Sequence, residues 1–176
     1  MMVSLFTIII LFSIPTGVAA SSVIEHYNEN YGTADEEARI DLIISLEEVP
    51  SEKTRKIMEA IILDTKKADR VRMQAICSLG SSSNQESVPL VINILEDDLK
   101  NRRGFWACAI PLLGQLKDRR AISILKRISN LRDDHLAGMN HMAIEALAEM
   151  GDEREVALLL SKAYIVPVRF AVINGL

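Results

Sequence analysis

Apolar residues along this chain recur at intervals of three and four, the spacing of a helix buried along one face, and they do so in short blocks that echo one another. VRMQAICSLG at 71–80, FWACAIPLLG at 105–114, MAIEALAEMG at 142–151 and VRFAVINGL at 168–176 align. In the first three, Gly80, Gly114 and Gly151 are 34 and 37 residues apart; an apolar residue precedes each (Leu79, Leu113, Met150), and a small one stands five earlier (Ala75, Ala109, Ala146). Small residues at a fixed position let two helices approach closely. After each glycine a polar turn leads into a second helical block, ESVPLVINIL, RRAISILKRI or REVALLLSKA. The buried faces of these blocks are predicted at Val88, Val91 and Leu95, at Ile122, Leu125 and Ile128, and at Val156, Leu159 and Ala163. A weaker copy covers 38–63: Ser45 and Leu46 stand 33 residues before Ser78 and Leu79, and Pro50 and Ser51 open its second helix.

A pair of ten-residue helices cannot bury its apolar faces alone, so pairs repeated every ~34 residues must stack on one another. The pattern predicts an all-α fold, an α-solenoid of about four helix pairs over 35–176, with units near 35–67, 68–100, 101–137 and 138–165 and a partial unit at 166–176. VRMQAICSLG and VRFAVINGL resemble the HEAT-like repeats first noted in phycobilisome lyases, whose first helix opens with Val-Arg and ends Ala-Leu-Gly. The resemblance implies a right-handed α-α superhelix. It implies no single activity, because such repeats build lyases, hydroxylases, transport adaptors and plain scaffolds. The chain departs from the pattern twice: Trp106 stands where the preceding unit has Arg72, and 129–140 makes a longer, polar connection.

The first twenty residues lack any charged side chain, run apolar from Val3 to Phe12 and meet helix breakers at Pro15 and Gly17. They read as an export signal cleaved after Ala20, with Val18 and Ala20 as the small residues before the cut and no basic residue in front. Uncleaved, the segment would be a membrane anchor near the lower length limit of ~17 residues. An acidic lead, 21–34, would follow, and the mature protein would be periplasmic or secreted. Cys77 and Cys108 permit one bridge, but both fall in first helices of neighbouring units, and packed helix axes usually lie ~8–10 Å apart. The two are therefore expected as small buried hydrophobes.

Composition narrows the core and the partners. Apolar residues make up 49% of the chain but aromatics only 5%, so the core must consist of Ile, Leu, Val, Ala and Met, a mixture that suits helices. A net charge of −4 excludes a broadly cationic nucleic-acid binder.

Candidate chemistry is sparse. His141 and Glu145 lie one turn apart on one helix face. In the deoxyhypusine hydroxylase type of HEAT-like protein, His-Glu pairs opening such helices hold a di-iron centre; His141 aligns with that family's His, but Met142 takes the place of its Glu, and the other units carry no His there. A mononuclear site from Asp133, Asp134, His135, His141 and Glu145 is a second reading, whose spacing fixes no convergent ligand set. No His accompanies either Cys at an equivalent repeat position, and neither a nucleophile elbow nor a phosphate-cradling loop occurs. No catalytic constellation and no cofactor follow from the sequence.

What remains is charge arrangement. Nine basic residues and one acid occupy 100–132, whereas 21–63 carries ten acids and four bases, and 133–155 seven acids and one base. In a solenoid the second helices line the concave face, so Arg120, Ser123, Lys126, Arg127 and Asn130 are the candidate partner-binding residues. The expectation is a non-catalytic scaffold or adaptor for a protein with an acidic surface. The alternatives are intramolecular pairing of those charges, a metal-binding or lyase-like enzyme on the same repeats, and a homo-oligomer joined through Phe170, Val172, Ile173 and Leu176.

Overall fold

The computed structural model describes residues 16–82, 85–131 and 137–151, with side chains over 21–82, 85–131 and 138–151. The elements predicted at 154–163 and 168–176, with Phe170, Val172, Ile173 and Leu176, lie outside the described residues, as do Asp133, Asp134 and His135. The described residues are all-helical. Eight α-helices appear among the described residues: α1 (Thr16–Asn30), α2 (Glu36–Ser45), α3 (Glu52–Leu63), α4 (Asp69–Leu79), α5 (Val88–Asn101), α6 (Trp106–Leu116), α7 (Ile122–Ser129) and α8 (Ala137–Glu149). Short 3-10 turns at Leu46–Glu48 and Arg119–Ala121 complete them, and no strand occurs in these stretches.

Local chemistry sets the helix ends. The Asp35 carboxylate accepts the Ala38 N–H at 2.9 Å to open α2, and the Ser51 hydroxyl accepts the Thr54 N–H at 3.1 Å to open α3. Thr54, fully buried, donates its own hydroxyl to the Val49 carbonyl at 2.8 Å. Pro89 sits in the first turn of α5, where its missing N–H costs nothing. The start of α6 is capped from a distance: the buried Asp98 carboxylate of α5 accepts the N–H groups of Arg103, Gly104 and Trp106 at 2.7, 3.0 and 2.9 Å. Arg102 in the left-handed region (φ 53°) and Gly104 (φ 88°) bend the chain around that carboxylate.

Helices α2, α4, α6 and α8 pack in sequence, each on the next, while α3 packs on α4, α5 on α6 and α7 on α8. Each second helix therefore leans on the first helix of the following pair. Among the described glycines the tightest contact is at Gly114, inside α6 rather than at its end: an added Cβ there would lie 2.9 Å from Ala146 Cα. The left-handed residue that stops α6 is Lys117 (φ 50°). Ala75 and Ala109 are fully buried, as are Val88, Val91, Leu95, Leu125 and Ile128; on α7 the deeper neighbour is Ile124, and Ile122 is only half-buried. Phe105 is buried beneath the guanidinium of Arg72, 5.0 Å from its ring centroid, and Arg72 Nε donates to the Ile62 carbonyl at 3.0 Å.

Links between successive pairs show the repeat as contacts. Arg70 reaches Glu36 and Glu37, 34 and 33 residues away; Arg103 reaches Asp69 over 34 residues, Arg55 reaches Glu86 over 31 and Arg127 reaches Glu96 over 31. Ser78 donates to Glu47 over 31 residues and Ser87 to Glu59 over 28. A separation of about one repeat recurs because equivalent positions of adjacent pairs face each other.

Residues 21–30 form the body of α1, docked through buried Ile24 and Tyr27. Tyr31 stacks on Tyr27 at 4.7 Å, with the cations of Arg39 and Lys67 5.7 and 5.3 Å from its ring centroid. The expectation for the cysteines changes. Cys77 and Cys108 form a disulfide with Cα atoms 4.9 Å apart, Cys77 exposed and Cys108 half-buried. The average helix spacing misled here, because α4 and α6 converge near the end of α4, where Gly80 sits against Leu112 and Gln115.

Candidate interaction surface

Helix α7 buries Ile124, Leu125 and Ile128 and turns Ser123, Arg127 and Asn130 outward, with Lys126 half-buried beside them. The same sequence of buried, half-buried and exposed positions runs through 91–100 of α5, thirty residues earlier. Asn93 thus matches Ser123, Asp97 matches Arg127 and Lys100 matches Asn130. On α3, Lys53, Lys56 and Ala60 are exposed, and a shallow groove of about 720 Å³ runs beside Ser51, Lys53, Lys56, Ile57 and Ala60. Two second helices, α5 and α7, accordingly share one pattern of exposed positions. The stripe on α5 was missed in the sequence; its signal is the match of VINILEDDLK with AISILKRISN, where Ile92, Ile94 and Leu95 align with Ile122, Ile124 and Leu125.

The candidate basic residues have unequal surroundings. Arg120 is committed internally: Nε and Nη2 donate to the two Asp118 carboxylate oxygens at 2.9 and 2.7 Å, and Nη2 also donates to the Gln85 carbonyl. The Arg120 side chain and backbone N–H hold the Asp118 carboxyl below its ordinary value, and the same contact raises the guanidinium of Arg120. Arg127 is exposed and donates to Glu96 at 3.3 Å, and Asn130 donates to the Lys126 carbonyl at 2.7 Å. Intramolecular pairing therefore accounts for part of the basic run, with Arg103 on Asp69 at 3.2 Å as a further case.

His141 and Glu145 do meet, Nε2 to Oε1 at 3.1 Å, both partly exposed on α8. Each answers the other, and among the described residues no group of three or more His, Cys, Asp or Glu comes together to hold a metal. A smaller cleft of about 470 Å³ opens between α1 and α2 beside His26, Asn30, Thr33, Asp41 and Ser45, where His26 Nδ1 and the Asn30 amide are 3.1 Å apart. Among the described residues no helix is long and apolar enough to cross a membrane.

Fold and surface together define a class: among the described residues, a protein of serially packed helices, with matching polar positions exposed on α5 and α7. Neither a protein-family model nor a curated protein matches the chain.

Proposed function

We propose that this chain is a non-catalytic scaffold of an exported compartment, a HEAT-like, right-handed α-α superhelix of about four pairs that holds a protein partner with an acidic surface. The observation that carries this reading is the outward row of Ser123, Arg127 and Asn130 on α7, beside α5 through the Arg127–Glu96 contact, which gives a partner segment a polar face to lie against. The recognition chemistry centres on Ser123, Lys126, Arg127 and Asn130. An exposed ion pair such as Arg127 with Glu96 contributes only ~0–1 kcal/mol, so a partner carboxylate can take over the guanidinium at little cost. Arg120 is exposed beside these residues, with its guanidinium already engaged by Asp118 and the Gln85 carbonyl, so it adds to the same basic face.

Export is supported by the apolar N-terminal segment and by the surface disulfide, which persists in oxidising compartments. Cleavage after Ala20 leaves the docking residues Ile24 and Tyr27 in place. The test is capture of partners from the envelope or secreted fraction by the mature protein and by a Lys126→Glu, Arg127→Glu variant of equal helicity. The variant is expected to lose the partner set held by the unaltered protein; identical sets from both would overturn the assignment of this face.

A further inference from the structure

The Cys77–Cys108 bond is the one covalent cross-link between side chains of successive helix pairs among the described residues, and its two ends differ. Cys77 lies in the last turn of α4 and is exposed. Cys108 is the third residue of α6, within its first turn, and half-buried. Cys77 offers the accessible sulfur, and in thiol–disulfide exchange access to the attacked sulfur accelerates the reaction.

We propose that this bond is a reducible latch between adjacent helix pairs, opened by a dithiol reductant that attacks Cys77. The reductant's thiolate forms a bond to Cys77 Sγ as the Sγ–Sγ bond breaks, and Cys108 leaves as a thiolate. The second thiol of the reductant then closes on the first, releasing Cys77. The dithiol is oxidised to its disulfide by two electrons, the protein's disulfide is reduced to two thiols, and the reductant's two protons pass to the cysteines. The latch holds α4 against α6 where Gly80 lies beside Leu112 and Gln115, so opening it frees that step without removing core side chains.

The experiment treats the folded, oxidised full chain with a small dithiol in native buffer and follows mass, helicity and hydrogen exchange. Expected are a gain of two hydrogens while helicity is retained, a rise in exchange confined to α4 and α6, and reversal on air oxidation. Halting the exchange early with a thiol-blocking reagent should trap the mixed disulfide on Cys77 rather than Cys108. A Cys77→Ser, Cys108→Ser variant should show the reduced exchange pattern from the start and no response to dithiol. Cleavage only after denaturant is added, trapping on Cys108, or unchanged exchange on reduction would each overturn the latch.

Discussion

Gly114 and Asp98 show how much single positions carry in this molecule. With the helix backbone of α8 2.9 Å from where a Cβ would stand, Gly114→Ala must push α6 from α8, and urea unfolding should show a loss of about 1–3 kcal/mol. Asp98→Ala would strand three N–H donors at the buried start of α6, with an expected cost of about 3 kcal/mol in the same measurement. Neither role was legible in the sequence. Gly114 looked like a helix end because it aligned with Gly80, and nothing in the sequence sets Asp98 apart from its neighbour Asp97. Asp118 behaves differently again. Because hydrogen bonds from Arg120 depress its pKa in the fold, the stability it adds is fully present above the unfolded value and is lost as pH falls through the lower, folded one. An NMR titration should place its midpoint below the ordinary 3.8, and Arg120→Ala should move it back up.

Between elements, the contacts follow the repeat, and most are weak individually. The ion pairs joining adjacent helix pairs are largely exposed, so their removal one at a time should alter stability by under ~1 kcal/mol. The disulfide is the exception. Closing a 31-residue separation, it should be worth ~3–4 kcal/mol through the entropy of the unfolded chain, and thermal melting of the Cys77→Ser, Cys108→Ser variant should fall by roughly 5–10 °C. Helix positions themselves were readable from the three-and-four spacing, since α4, α6 and α8 take in the aligned blocks and α3, α5 and α7 the second ones. The docking of α1 was not, because its apolar residues Ile24 and Tyr27 gain meaning only against the end of the array.

For the molecule as a whole, serial packing makes position along the chain a determinant of local stability. Helices α4 and α6 are covered on both sides, α4 by α2, α3 and α6, and α6 by α4, α5 and α8. Their amides should exchange slowest by hydrogen–deuterium mass spectrometry, with protection decreasing toward α1; equal protection throughout would show a single cooperative core instead.

The sequence by itself determined that the described residues are helical, where α2 to α8 fall and most of the residues that face the core, because hydrophobic periodicity is a local property that each segment carries alone. Tertiary structure decided what lies opposite what. It joined Cys77 to Cys108, set Gly114 against Ala146, turned Asp98 into the cap of a neighbouring helix and tied Arg120 to Gln85. Each of these depends on the distance and rotation between two helices, which side-chain volumes at the contact set jointly and which no single stretch of sequence encodes.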